Sequence, residues 1–334
     1  MPKIDDRVNQ APVEEKGGDR MDSRGREASE PHQIPKAGWR DIFWRVTEQL
    51  SQDNVSLVAA GVAFYLILAL FPALVAVVSI YGLVTDPQQI QQQISSLSGG
   101  LPQEAQTLIG EQLTAIATTA ESALSFGAIG GLLLTFWSAS KGMQALMTAL
   151  NIVYDEEEHR SFLKFIGLAL LLTLAGIVFI VLTLFLIAIL PTLLDTIGLG
   201  GVVHTLLSVG RWPILGVMFM VMLSVLYRYA PCRHEPKWQW VSWGAGAATV
   251  LWLIVSAGFA FYADNYGAYN QTYGSLATAV ILLMWFWLTA YIILLGAELN
   301  SEMEHQTKKD TTTGEPKEMG QRGAYVADHL GHQP

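Results

Sequence analysis

The stretch IGLALLLTLAGIVFIVLTLFLIAIL, residues 166–190, carries no charged side chain along its whole length. A helix needs about 20 consecutive apolar residues to cross a hydrocarbon core about 30 Å thick. A helix on the surface of a soluble protein would instead keep a polar face toward water, and this stretch has none. It therefore predicts a transmembrane helix.

Five further segments of the chain meet the same test of length and composition. The six predicted spans lie at about 57–84, 124–150, 165–191, 212–229, 240–262 and 276–298. Only 15% of the residues are charged, below the roughly 25% of soluble domains. Membrane β-strands are shorter and alternate in hydrophobicity. We predict an all-α, polytopic membrane protein with six transmembrane helices.

Lysine and arginine residues alternate across the predicted spans. Nine precede Leu57, none lies in 85–122, 192–210 or 263–275, and the remaining connections and the tail carry several. Because cytoplasmic loops are enriched in these residues, the pattern predicts that the N and C termini are both cytoplasmic.

Three segments outside the spans have distinct compositions. Residues 1–36 and 305–334 are rich in charged residues and glycine, and we predict that this leader and this tail are disordered in the cytoplasm. Residues 85–122 repeat apolar side chains at helical spacing in two halves, which SGGLP (98–102) separates. We predict two short helices there, forming a periplasmic cap between the first and second spans.

A short amphipathic helix is predicted just before the first span. Trp39, Ile42, Phe43, Val46 and Leu50 recur at helical spacing. Such a helix can lie on the cytoplasmic membrane surface, and packing beneath the bundle explains the pattern equally well. The membrane domain is therefore expected to cover residues 37–304.

Four motifs lie in order along the membrane domain. They are AAGVAFYLILALFPAL (59–74), SASKGMQALMTALNIVYDEEEHRSF (138–162), YNQTYGSLATAVILLMWFW (269–287) and LLGAELNSEME (294–304). Together they resemble the YihY/BrkB family over about residues 39–304. The resemblance implies a six-helix protein of the bacterial inner, or cytoplasmic, membrane. It also implies a role in moving lipids or other solutes, and the family has carried a ribonuclease label.

Lys141 is a charged residue about two turns inside the second span. A charge at this depth is costly, and it marks a functional site unless the lysine stem snorkels to the interface. Glu298, in GAELN at the end of the sixth span, approaches the same side of the membrane. Glu298 is therefore a candidate partner of Lys141. An ion pair between the two could be a fixed structural clamp or a gate that opens during transport.

The segment DNYGAYNQTYGS (264–275) places polar side chains at the outer ends of the last two spans. With the tyrosine before it, and with one arginine at the start of the fourth span, it supplies a candidate outer site. The members of that site are Arg211, Tyr262, Asp264, Tyr266, Tyr269, Asn270 and Tyr273. An interfacial aromatic belt explains the tyrosines, whereas a polar rim that binds a headgroup or sugar also explains Asp264 and Asn270.

These features favour a transporter or flippase-like carrier of a lipid or other amphipathic solute, with membrane lipids as its partners. No GxxxxGK[ST] motif is present, so we expect transport that the protein does not drive with ATP by itself. A non-transporting scaffold for envelope assembly is the alternative. A ribonuclease is a weaker one, because DEEEHR (155–160) is typical of a solvated charge run. The net charge of −9 disfavours nucleic acid, and we expect no enzymatic activity, cofactor or metal.

Overall fold

The computed structural model describes residues 24–82, 126–186, 202–266 and 275–332. Within these ranges the protein is helical and contains no β-strand, only an isolated bridge between Pro236 and Thr312. This confirms the predicted all-α class. The helices are α1 (Lys36–Gln52), α2 (Val55–Gly82), α3 (Phe126–Val153), α4 (Phe162–Leu184), α5 (Val202–Tyr229), α6 (Trp238–Tyr266), α7 (Ser275–Glu304) and the single turn α8 (Tyr325–Asp328).

Among the described residues six long helices form the bundle, and each overlaps one predicted span, although α5 begins at Val202 and its predicted span begins at 212. In chain order they pack as a series of neighbours, and α7 closes the bundle by packing against α2 as well as α6. α7 also contacts α1 and α3. The end at which α2, α4 and α6 begin and α3, α5 and α7 end is called the base below.

Three helical segments of the described chain are long and apolar enough to cross a membrane. They are Phe162–Thr183, Trp238–Phe259 and Ala279–Glu304. A fourth candidate is α1 together with the first part of α2, which are bent by 61° at the break between them. Pro213–Tyr229 is a shorter apolar helix. Several membrane spans are therefore present, while the number six and the orientation stay predictions.

The buried core lies in the halves of the helices nearest the base. The largest fully buried apolar side chains include Met147, Leu150, Leu223 and Leu294, which meet in one cluster. Farther from the base, apolar side chains such as Leu133 are mostly exposed on the outside of the bundle. Such an apolar exterior fits a hydrocarbon surrounding rather than water.

Helices α6 and α7 approach most closely at Gly244 and Gly296. A Cβ atom on Gly244 would lie 2.1 Å from the carbonyl oxygen of Gly296, so only glycine fits there. Asn300 fastens the contact, because its Oδ1 accepts a 2.8 Å hydrogen bond from the Gly244 N–H. Small residues thus let two membrane helices touch through their backbones.

Helix α1 packs beneath the bundle. Ile42 is fully buried and lies in one apolar cluster with Trp240 and Met303. The opposite side of the same helix leaves Phe43 65% exposed and Trp44 57% exposed. The helix therefore satisfies one predicted alternative, packing under the bundle, while it still presents an apolar face outward.

The structure differs from the predicted disorder on both sides of the membrane domain. Residues 24–35 and 305–332 pack together under the base, where Arg26 donates hydrogen bonds to the carbonyl oxygens of His305 and Gly331 at 2.9 and 2.6 Å. Arg322 donates to four further tail carbonyls. Buried guanidinium groups thus satisfy backbone acceptors, which an argument from apolar composition cannot anticipate. The predicted cap at 85–122 lies outside the described residues.

Candidate functional site

Lys141 lies half-buried on α3, and its contacts are with its own helix. Its Nζ donates a 3.2 Å hydrogen bond to Oε1 of Gln144 and lies 4.6 Å from the ring centre of Trp137. Gln144 in turn donates to the buried hydroxyl of Ser140 at 3.0 Å. The lysine therefore has local polar and cation–π partners at this depth.

The expected pairing of Lys141 with Glu298 is wrong in this structure, because no ion pair joins the two described side chains. Glu298 is fully buried and lies beside Asp53, at the junction of α1 and α2. The two residues lie at different levels of the bundle: Gly142, next to Lys141, lies against Leu66 and Ala69 of α2, whereas Glu298 lies beside Asp53, before α2 begins.

The outer candidate residues are only partly described. Tyr262 lies on α6 and is 39% exposed. The backbones of Asp264 and Tyr266 continue that helix, and Arg211 lies within α5. The other three predicted residues, Tyr269, Asn270 and Tyr273, lie outside the described residues. The outer rim thus stays a prediction.

A groove of about 810 Å³ opens on the outside of the bundle near the base. Its walls come from α1, α5, α6 and α7, and its lining is almost entirely apolar. The lining residues are Trp39, Met220, Ser242, Trp243, Gly246, Ala247, Val250, Leu251, Ile254 and Leu299. The Trp39 and Trp243 rings lie 5.8 Å apart between centroids.

Positive charge lies along the same helix that bounds this groove. Lys36 and Arg40 are exposed on α1, on either side of Trp39 in the chain. A second pocket of about 450 Å³ lies between Arg24, Arg40 and Asp41, where Arg24 pairs with Asp41 at 2.7 Å. An apolar groove with exposed cations on one of the helices that line it is suited to an anionic amphipathic molecule.

A pair of carboxyl groups lies inside the base. The carboxyl groups of Asp53 and Glu298 are within hydrogen-bonding reach of one another. Oδ1 of Asp53 accepts a 3.2 Å hydrogen bond from Gln49. Its Oδ2 and both carboxyl oxygens of Glu298 are buried without a donor. The neighbouring Glu302 differs, because its carboxylate forms a buried ion pair with Arg45. Arg45 also donates a 3.0 Å hydrogen bond to the backbone carbonyl oxygen of Glu302.

Asp155 lies at the surface near this carboxyl pair, directly after α3. Its φ of 52° is in the left-handed region, which aspartate and asparagine tolerate better than most residues. Although the residue is exposed, partial burial of its carboxyl group and the negative charge of Asp53 raise the pKa of Asp155, against the opposing effect of His305. The acidic groups of the base thus extend from the interior to the surface.

The loop after α3 is more ordered than the predicted solvated charge run. Arg160 donates to both carboxyl oxygens of Glu158, at 2.7 and 2.6 Å, and to the carbonyl oxygen of Ala230. Asn151 donates to Glu158 as well. Burial favours the protonated form of Glu158, but the hydrogen bonds from Arg160 and Asn151 outweigh it and lower the pKa of Glu158 to about 2.

A second ion pair is buried beside this loop. Arg233 donates to both carboxyl oxygens of Glu304, at 2.8 and 2.7 Å, with no exposed side-chain surface on either residue. The guanidinium also lies 4.8 Å from the ring centre of Tyr154, and Thr311 of the tail donates to Glu304. This pair ties α7, the α5–α6 connection and the tail together.

The sequence did not indicate the groove or the carboxyl pair. Both depend on how α1 meets α6 and α7, which hydropathy leaves undetermined. One signal was present, since Asp53 follows an amphipathic helix directly and GAELN carries an acid inside a span. Among the described residues, no group of three or more His, Cys, Asp or Glu is arranged to hold a metal ion.

The apolar helices and their lipid-facing exterior define a multi-pass α-helical membrane protein. The chain belongs to the family described as Virulence factor BrkB, which matches residues 46–321. This confirms the resemblance that the four motifs carry.

Relatives of known name agree with this membership. The chain is similar to the putative ribonuclease-like protein YfkH of Bacillus subtilis, with 30% identity over 277 residues, which cover 81% of this chain and 96% of that protein. A UPF0761 membrane protein of Xanthomonas campestris is 39% identical over 83 residues, 25% of this chain and 19% of that protein. One from Laribacter hongkongensis is 33% identical over 108 residues, 32% and 24% of the two chains. No solved structure matches the chain.

Proposed function

We propose that this protein is a carrier of an anionic lipid or a similar amphipathic solute, and that the groove between α1, α5, α6 and α7 binds the apolar part of that molecule. The observation that carries the proposal is the groove itself, which holds about 810 Å³ and opens to the outside of the bundle beside the exposed apolar side chains of Val250 and Ile254. Burial of an acyl chain there removes apolar surface from contact with mobile lipid and fixes the position of its headgroup.

The charges beside the groove support an anionic headgroup. Lys36 and Arg40 are exposed on the helix that supplies Trp39. An exposed cation at a membrane surface contributes about 1 kcal/mol to the attraction of anionic lipid. The groove would therefore prefer phosphatidylglycerol-like lipids to neutral ones.

The test uses the purified full-length protein and a variant that fills the groove. In Gly246→Leu the new side chain projects toward Met220, whose nearest atom would lie 3.5 Å from the added Cβ, so the fold accepts the start of the side chain. Gly258→Leu is the matched control, because Gly258 lies on the same helix with open space around it. Native mass spectrometry then identifies the lipids that copurify with each protein.

We expect the parent and Gly258→Leu to retain an anionic lipid class that Gly246→Leu loses. Transport is then measured in phosphatidylcholine vesicles with a trace of fluorescent phosphatidylglycerol, as the rate at which outer-leaflet label becomes protected. The parent should exceed protein-free vesicles, and Gly246→Leu should not. If the parent retains the lipid but does not move it, the result would favour a non-transporting scaffold for envelope assembly. If all three proteins copurify with the lipids of the bulk membrane in their ordinary proportions, lipid binding in the groove would be refuted.

A further inference from the structure

The carboxyl pair at the base lacks a donor that its geometry requires. Glu298 has no exposed surface, and neither of its carboxyl oxygens has a hydrogen-bond donor among the described residues. Oδ2 of Asp53 is likewise buried without a hydrogen-bond donor. The carboxyl groups of Asp53 and Glu298 are within hydrogen-bonding reach of each other. Two ionised carboxylates can only repel each other at such a contact.

Within the described part of the chain, the charged groups around Glu298 do not include a compensating positive charge. The charged groups that act on it most strongly are Asp53, Glu302 and Asp155, all acidic. Arg45 of α1 is directed to Glu302 instead.

Among the described residues, the neighbouring helices place no cation against Glu298. α6 faces this part of α7 with the backbone of Val241 and Gly244, which Asn300 binds. Tyr227 of α5 donates to the carbonyl oxygen of Ile293, and the nearby Tyr154 is a neutral phenol. On α3, Lys141 is held by Gln144.

We propose that Asp53 and Glu298 form a proton-binding site that holds one proton between them at neutral pH. Glu298 carries the proton because it is the more buried group, and its O–H donates to Oδ2 of Asp53. A single proton thereby provides the missing donor for one oxygen of each residue. It also removes one of the two negative charges that the buried pair would otherwise hold.

Asp155 provides the exchange route to the solution at the base. It is exposed, it lies close enough to Asp53 for their charges to interact, and its pKa is raised by partial burial and by Asp53. On release, the O–H bond of Glu298 breaks, its electron pair stays on the carboxylate, and the proton passes to water beside Asp155. The two carboxylates left behind repel each other and push the α1–α2 junction away from α7.

Proton binding at this site does not depend on lipid transport. That the proton drives a transport cycle rests on the proposed function, and it would supply the energy source that the missing ATP-binding motif leaves open. The site is therefore tested on the purified protein alone, with no transport measured.

Infrared spectroscopy of the full-length protein in a detergent without ester groups, at neutral pH, tests the site directly, because no lipid ester carbonyl then overlaps the carboxyl band. A protonated carboxyl group has a carbonyl stretch separate from carboxylate bands. We expect such a band in the parent and in the control Glu157→Gln, which alters an exposed acid of the same base. We expect its loss in Glu298→Gln, whose amide can donate to Asp53 in place of the O–H. An unchanged band in Glu298→Gln overturns the proposal.

Melting temperature as a function of pH and of sodium provides the second measurement. The folded parent holds a proton that the unfolded chain releases, so its melting temperature should fall as the pH rises through the point of release. Glu298→Gln and Asp53→Asn should both reduce this slope. The proposal is overturned if the melting temperature of the parent changes with sodium at constant pH but does not change with pH at constant sodium. That result would show that the carboxyl pair binds a metal cation and not a proton.

The transport assay then separates the two proposals. If Glu298→Gln loses the carboxyl band while the parent moves no labelled lipid, the proton site stands and the carrier function fails. If the parent moves lipid and the band is absent, the carrier function stands and the proton site fails.

Discussion

At the scale of single residues, the ionisable groups of the base divide into those with partners and those without. Glu302 and Glu304 have buried arginine partners, so their charges are compensated where they lie. Glu298 is equally buried and has none among the described residues. An uncompensated buried charge is unfavourable, and this contrast along α7 is the reason why the shared proton is proposed at Glu298 and not at Glu302 or Glu304.

Asp155→Asn should make the protein less sensitive to pH. The pKa of Asp155 is raised by partial burial and by Asp53, so the folded parent loses stability as the pH rises from the ordinary aspartate range through that raised pKa. The asparagine cannot ionise, and it tolerates the φ of 52°. Melting temperatures between about pH 4 and about pH 8 should decline less in the variant than in the parent. Parallel curves would contradict this expectation, and Glu157→Gln, at an exposed neighbour, provides the control.

Lys141→Ala should impair transport of the labelled lipid and leave the fold intact. The lysine contacts Gln144 and Trp137 of its own helix, so its loss should cost no more than about 1 kcal/mol of unfolding free energy. Thr148→Ala, an exposed polar change on the same helix, is the control. A variant that melts and transports like the parent would show that Lys141 has no functional role.

At this scale the sequence indicated individual charged residues within the spans, and it did not indicate the partners that these residues have in the structure. Lys141 and Glu298 both stood out because charge inside a span is costly, yet the pairing between them was wrong. Hydropathy gives the depth of a residue along the membrane. It gives that depth only approximately and does not give the neighbours of a side chain, and in the structure Glu298 lies beside Asp53, far along the bundle from Lys141.

At the scale of helices, the contact between α6 and α7 depends on two glycines. In Gly244→Ala the new Cβ would lie 2.1 Å from the carbonyl oxygen of Gly296, and a backbone atom cannot move aside without separating the helices. We expect the unfolding free energy of Gly244→Ala to be about 1–3 kcal/mol lower than that of the parent. Its melting temperature in detergent should be lower as well.

Gly258→Ala is the matched control for this change. It lies on the same helix with nothing within 4 Å of the added Cβ, so it should be neutral or stabilise α6 by up to about 1 kcal/mol through helix propensity. Equal melting temperatures for the two variants would mean that α6 and α7 do not approach as closely as described.

Most of the helices themselves could be predicted from the sequence. The span predicted at 240–262 corresponds to Trp238–Tyr266, and the one at 276–298 corresponds to Ser275–Glu304, because long apolar runs have few other stable conformations in lipid. Small residues at 244–248 allow close packing of membrane helices, and Gly244 and Ala248 lie at the contact with Gly296 of α7. What could not be predicted is that α1 bends by 61° into α2 and so forms both the groove wall and half of the carboxyl pair.

At the scale of the whole molecule, the orientation of the bundle can be tested with a native residue. Cys232 is the single cysteine of the chain, and it lies partly exposed at the base, between α5 and α6. If the base is cytoplasmic, a membrane-impermeant maleimide should label it in inverted vesicles and not in intact spheroplasts. Cys232→Ser controls for unspecific labelling. Labelling in spheroplasts alone would invert the predicted topology.

The tail shows why a composition-based argument failed for the terminal segments. Residues 305–332 contain few large apolar side chains, yet Thr307, Thr311 and Val326 are almost fully buried. Arg322 holds this segment together, because it donates to the carbonyl oxygens of Lys308, Lys309, Lys317 and Ala327. Order here comes from hydrogen bonds to backbone acceptors, whose positions hydropathy does not reveal.

Arg322→Ala should therefore release the tail while the membrane helices stay folded. The substitution leaves buried carbonyl groups without their donor, and each such group costs about 1–3 kcal/mol. Because those groups lie in the tail, the cost falls on its docking and not on the contacts between α2 and α7. We expect faster cleavage within 308–328 by a protease added to inverted vesicles, with little change in the melting temperature of the bundle.

Lys309→Ala removes a half-exposed ion pair with Glu27 and should leave cleavage unchanged, since exposed pairs contribute about 0–1 kcal/mol. If Arg322→Ala instead lowers the melting temperature of the whole protein, the tail is a structural part of the membrane domain; if neither variant alters cleavage, the tail is not fixed by Arg322.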